Sequence, residues 1–241
     1  MARWLVKLEG TPFDLEDFPF WFPRGKVFAT ADANGTYVAG ELLEACSDSS
    51  TVYQTAENLL DEMHSVIYLL DPGIKKPTIG VVLREDDTGK RAGTVIASAT
   101  IRGRSKMRAT ATINGATNGP HAETQAQLML KAAQTDRHLR IALSLLAMPH
   151  VSWPHLYRAL EEIEVSLGKK VHGACVCTSG ERERFTRSAN SGEVAGNDAR
   201  HRVGKFDPPP QPMTLHEAQK FVRFCLDATL RKVASAASPQ H

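Results

Sequence analysis

The sequence predicts an α+β protein: an antiparallel, β-rich N-terminal half (residues 1–118) with one covering helix, and an all-helical C-terminal half (residues 119–241). Three observations lead there. The hydrophobic period is near two before about residue 118 and helical after it. Asn34-Gly35 lies between two β-prone runs in "KVFATADANGTYVAGE", a short-range hairpin signal. Thr178 with Glu181, and Thr214 with Glu217, have the T-x-x-E spacing of capping boxes, so two helices start in the second half.

In chain order, "RWLVKLEG" alternates from Trp4 to Leu8 and reads as a strand. The Asn34-Gly35 hairpin follows. Val52, Ala56, Leu59, Leu60, Met63, Ile67 and Leu70 then fall at helical spacing, and Pro72-Gly73 stops the run. A single apolar stripe of this kind suits a helix lying on one face of the sheet. "PTIGVVLREDDTGKRAGTVIASATIRGRSKMRATATING" predicts a meander of three strands with turns at Asp86–Gly89 and Gly103–Ser105. Beyond "GATNGP" come the helices "HAETQAQLMLKAAQ", "DRHLRIALSLLA" and "WPHLYRALEEIEVSLG", the last with Leu156, Leu160, Ile163 and Leu167 on one face and Gly168 past its end. The last helix is expected from Leu215 to about Val233, with a broad apolar face.

The 241 residues suffice for one large domain or two modest ones. A formal charge of +2 gives no global reason to invoke nucleic acid or an acidic membrane surface. Four cysteines, two of them one residue apart, do not make a disulfide framework and point to a reducing, cytoplasmic compartment. The longest apolar runs, such as "SVIYLL", fall far short of the roughly 20 residues that span a bilayer, so no membrane partner is expected.

Several residue sets are candidates for chemistry. His172, Cys175 and Cys177 have partial metal-ligand character, with His150 and His155 as possible completions, but zinc wants four ligands within reach. The plainer reading makes both cysteines small apolar fillers of a short extended segment, and no metal or cofactor is expected. Arg102, Arg104, Lys106 and Arg108 alternate around a turn and would share one sheet face, where four cations suit phosphates of a nucleic acid. The plainer reading is a solvated outer face. Glu161, Glu162 and Glu164 read as the wet side of a helix. There is no P-loop, G-x-S-x-G or H-E-x-x-H motif. The richest stretch is "RFTRSANSGEVAGNDARHRVGKFDPPPQPMTLHEAQKF". There His201 could move a proton, Arg200 could hold a phosphate, and Asn190, Asp198 and Arg187 could support them. Alternatively these side chains tie down loop backbone.

"FTRSAN", "ARH" and "PMTLHEA" resemble the C-terminal segment of a group of bacterial proteins without an assigned function, over the chain from about Trp153 onward. The helical half is more loosely similar to HEPN-type and abortive-infection domains. Some of those are metal-independent ribonucleases with an Arg, four to six residues, then a His; here Arg200 and His201 are adjacent. The resemblance implies a bacterial cytosolic protein and a helical bundle. The expected function is non-enzymatic binding or regulation, with a protein partner or homodimer through the helical half. The alternatives are phosphodiester cleavage by Arg200 and His201, of a defence or toxin type, and nucleic-acid binding through Arg102–Arg108.

Overall fold

The computed structural model describes residues 3–95, 123–199 and 207–237. It divides into two compact units, Met1–Ile67 with Asp71–Gln127, and Tyr68–Leu70 with Leu128–His241. Each half has the class the sequence predicts: an antiparallel sheet in the first, helices in the second.

The first unit holds β1 (Arg3–Glu9), α1 (Pro12–Trp21), β2 (Val27–Asp32), β3 (Gly35–Gly40), α2 (Glu41–Glu44), α3 (Ser49–Leu70, to Ile67), β4 (Thr78–Glu85) and β5 (Arg91–Val95). The sheet order is β2-β3-β1-β4-β5, antiparallel throughout. Pairing of Val6 with Val38 and Val82, and of Leu8 with Thr36 and Ile79, gathers buried side chains on one face. The opposite face has a smaller apolar cluster of Leu5, Tyr37 and Ala39, packed by Phe28 and Leu83. The sheet is therefore apolar on both faces, where the sequence suggests burial of one. The third strand of the expected meander lies outside the described residues.

The hairpin turn sits one residue earlier than Asn34-Gly35. Asp32 pairs with Gly35, leaving Ala33 and Asn34 as the loop. The Asp32 carboxylate accepts from the Asn34 backbone N–H at 2.7 Å, a local tie that sets the turn. Gly35 then opens β3 at φ 144°, where a Cβ would sit 2.9 Å from the Lys7 side chain. Neither α1 nor α2 is legible in the apolar period. Thr11 caps α1 and Pro12 occupies its first turn, while Pro19 lies inside it and hides the pattern. Phe18 and Phe22 anchor it, both fully buried.

The second unit contains α4 (Gln125–Thr135, from Leu128), α5 (Arg137–Leu146), α6 (Trp153–Leu167), α7 (Ser179–Asn190), α8 (Gly192–Ala195), a 3₁₀ turn at Gly196–Asp198 and α9 (Leu215–Ala237). Helix α6 packs on α5, α7 and α9, and α5 also meets α9. Leu139, Leu143, Leu156, Ile163, Val222 and Leu226 fill the centre. Both capping boxes form: Glu181 N–H donates to Thr178 Oγ1 and Glu217 N–H to Thr214 Oγ1, each at 3.2 Å, while the glutamates reach back to the threonine N–H groups. Gly168 ends α6 in the left-handed conformation, at φ 65°.

Two local expectations change. Glu164 is not on a wet face. It is 6% exposed, accepts from Arg182 Nε at 2.5 Å and Nη2 at 3.0 Å, and meets Lys170 Nζ at 2.8 Å. The segment with Cys175 and Cys177 is not extended either. Cys175 N–H closes a turn onto His172 C=O at 3.0 Å, and Cys175 itself has φ 58°.

Candidate functional site

The proline-rich exit of the long loop is fixed by two arginines of α7. Arg184 donates to Gln211 C=O at 2.6 Å and Pro212 C=O at 3.3 Å, and pairs with Glu217 at 3.1 Å. One turn on, Arg187 donates to Asp207 C=O at 3.4 Å and Pro208 C=O at 3.1 Å. Proline has no N–H and holds its neighbours extended, so carbonyls of such a segment need outside donors. Ser188 adds a third tie: its buried hydroxyl donates to Arg184 C=O at 2.8 Å and accepts from Met213 N–H at 2.9 Å. Arg184 and Arg187 border a groove of about 340 Å³ together with Pro209 and Pro210, but their guanidinium groups are engaged on backbone carbonyls and on the carboxylates of Glu217 and Glu183.

A second concavity, of about 440 Å³, runs along the outer face of α6. Tyr157, Arg158, Glu161 and Glu162 form one wall, at spacings of one helical face. Ala189 at the end of α7 and Asn197, Asp198 and Ala199 form the other. Trp153 lies at its base, and below it the rings continue inward. Tyr157 stacks on Phe185 with centroids 6.3 Å apart, Trp153 lies 6.1 Å from Phe185, and Phe221 closes the stack at 5.4 Å. Among the described residues, three carboxylates, Glu161, Glu162 and Asp198, and one guanidinium, Arg158, line this cleft. Glu162 is held in place by His138 Nδ1 at 2.7 Å and approached by Arg158 at 3.8 Å. The described part of the rim is therefore rich in carboxylates and has aromatic rings beside it.

The structure separates residues that the sequence grouped. Asp198 borders the cleft and Arg187 the proline groove. Asn190 is 7% exposed, and its Oδ1 has no hydrogen-bond partner among the described residues. The Oγ of Ser191, fully buried, has none either. Arg200 and His201 lie outside the described residues, as do Arg102, Arg104, Lys106 and Arg108.

His172 and Cys175 are exposed, whereas Cys177 is half-buried and neighbours buried Cys225 on α9. Burial pushes both the Cys177 and the Cys225 thiol above the ordinary range, which opposes thiolate chemistry near neutral pH. His155 Nδ1 accepts from Ser152 N–H at 3.2 Å, capping α6. Among the described residues, no three His, Cys, Asp or Glu side chains gather as a metal site.

Sequence reasoning passed over the cleft. The i, i+3, i+4 spacing of Tyr157, Arg158, Glu161 and Glu162 gives the helix face, but only the fold supplies the wall opposite. No helix of the described residues is long and apolar enough to cross a membrane. Comparison of the chain with protein-family models, with curated proteins and with solved structures gives no match in any of the three.

Proposed function

We propose that this is a non-enzymatic binding protein that takes a small polar ligand in the cleft between α6 and residues 197–199. The observation that carries the reading is the cleft itself: about 440 Å³ with ionised side chains around an aromatic base. Small-molecule sites combine a concave apolar body with a few placed polar groups in this way. The four cysteines are free, in keeping with a cytoplasmic setting, and the "FTRSAN…PMTLHEA" resemblance favours a bacterial one. The phosphodiester-cleaving alternative rests on Arg200 and His201, and Arg187, one of the residues expected to support them, has its Nη2 engaged on the backbone carbonyls of Asp207 and Pro208.

The test is an NMR titration of the full chain with four probes of one shape and graded charge: phenethylammonium, phenethylguanidinium, 3-phenylpropionate and phenethyl phosphate. At least one is expected to shift resonances of Tyr157 and Ala199. Ala199→Trp, which fills the cleft, is expected to abolish those shifts while the chain stays folded. Binding by none of the four, or binding that survives Ala199→Trp, overturns the reading.

A further inference from the structure

Three of the four cysteines lie in the helical unit, and they differ in access. Cys175 is exposed, Cys177 is half-buried, and Cys225 is fully buried on α9. Cys177 and Cys225 come from segments far apart in the chain, and their thiols meet. The contact is part of a longer seam. Lys232, seven residues beyond Cys225 and so about two turns along the same face of α9, donates to Ala174 C=O at 3.4 Å. Residues 174–177 therefore run along α9 in the opposite sense, with Ala174 at Lys232 and Cys177 at Cys225. Val171 and Ala174 are buried and pin this segment.

Two thiols in contact have a reaction that a solitary cysteine lacks: closure of a disulfide, which needs the side chains to meet. Cys46, in the other unit, shows the solitary case, with its S–H donating to Leu42 C=O at 3.4 Å. Burial keeps the protons on Cys177 and Cys225, so the pair persists as thiols near neutral pH. Cys177 is the member that solvent reaches. Once oxidised, it has a resolving thiol already beside it, which diverts a sulfenic acid from further oxidation. In a reducing compartment such a bond is transient and serves sensing rather than folding. Its position sets its effect. Cys177 immediately precedes Thr178, the N-cap of α7, so the bond fastens the start of α7 to α9. It brackets residues 178–224, which supply the proline exit and one wall of the cleft.

We propose that Cys177 and Cys225 are a redox-modified pair, closed into a disulfide by a hydroperoxide, and that the bond clamps α7 to α9. The Cys177 thiolate attacks a peroxide oxygen. An S–O bond forms, the O–O bond breaks, and the leaving oxygen takes up a proton as water or an alcohol. The Cys225 thiolate then attacks Cys177 Sγ. The S–S bond forms, the S–O bond breaks, and hydroxide leaves with a proton as water. Across both steps the two thiols lose two electrons and two protons, and the hydroperoxide is reduced. The device is independent of whether the cleft holds a ligand.

The experiment treats the full chain with hydrogen peroxide at pH 7 and pH 9, blocks free thiols with iodoacetamide and digests with trypsin without reductant. The expected product joins peptide 171–182 to peptide 224–231, two hydrogens lighter than their sum, from a chain that runs as a monomer on a non-reducing gel. It is expected to form faster at pH 9, where more of each thiol is ionised. Both Cys175 and Cys177 lie in peptide 171–182. Cys175→Ser is therefore expected to keep the link and Cys177→Ser to abolish it. The linked chain is expected to melt at least about 5 °C above the reduced one, because the bond closes a loop of about 50 residues. Dithiothreitol is expected to reverse the shift. A link lost in Cys175→Ser, a link only between chains, sulfinic acid at Cys177 with Cys225 left free, or thiols unmodified at pH 9 overturns the pair. A link that leaves Tm unchanged overturns the clamp.

Discussion

Phe185→Ala is expected to cost about 4 kcal/mol of stability, in the range for deleting a fully buried aromatic ring. Phe185 is 0% exposed and stands between Trp153, Tyr157 and Phe221, with centroids 6.1, 6.3 and 5.4 Å away. It thereby joins α7 to α6 and α9, three helices whose packing leaves little freedom to collapse around the void. The measurement is urea unfolding: a lower midpoint with an unchanged slope. Because Tyr157 stacks on Phe185 and forms part of the cleft, the same variant is expected to weaken ligand binding where it stays folded. A loss below about 1 kcal/mol would mean that the three helices repack without the ring, and that the cleft has no rigid base.

The class of each half is legible because the two hydrophobic periods differ and because capping chemistry is local. Thr178 and Glu181 need only each other, so the sequence places the start of α7 correctly. What depends on distant partners is less legible. Helix α1 escapes notice because Pro12 and Pro19 interrupt the pattern, while its burial is decided by β2, against which it packs. The hairpin shifts by one residue because the Asp32 carboxylate sets the turn, which a dipeptide signal does not contain. Glu161, Glu162 and Glu164 look alike in sequence. On the helix, two of them border a cleft and the third is buried against Arg182, since α7 covers only one side of α6. Likewise Ser188 and Ser191 are both buried serines three residues apart, and only the positions of Arg184 C=O and Met213 N–H tell the tied hydroxyl from the one without a partner among the described residues.

Glu164→Ala is expected to cost about 3 kcal/mol, because removing one member of a buried ion pair leaves its partner's charge uncompensated. Arg182, at 19% side-chain exposure, would keep its charge with no carboxylate against it, and Val171 N–H would lose its acceptor at 3.3 Å. The contact joins the end of α6 to the first turn of α7, so it steadies the segment that leads to both Ala189 and the proline exit. Glu164→Gln keeps the volume and one acceptor and is expected to cost less. The pH dependence separates the two contributions. Burial alone pushes the Glu164 carboxyl upward, but the hydrogen bonds from Arg182 and Lys170 outweigh it and hold the group below its ordinary value. A carboxyl whose pKa is lowered on folding stabilises fully above the unfolded value of about 4.3 and less as pH falls through the folded one. The stability gap between the wild-type chain and Glu164→Gln is therefore expected to hold steady from pH 7 to about pH 5 and to narrow below it. Urea midpoints at a series of pH values measure this directly. A gap that stays constant to pH 3 would mean that Glu164 contributes by shape and hydrogen bonding alone, without its charge.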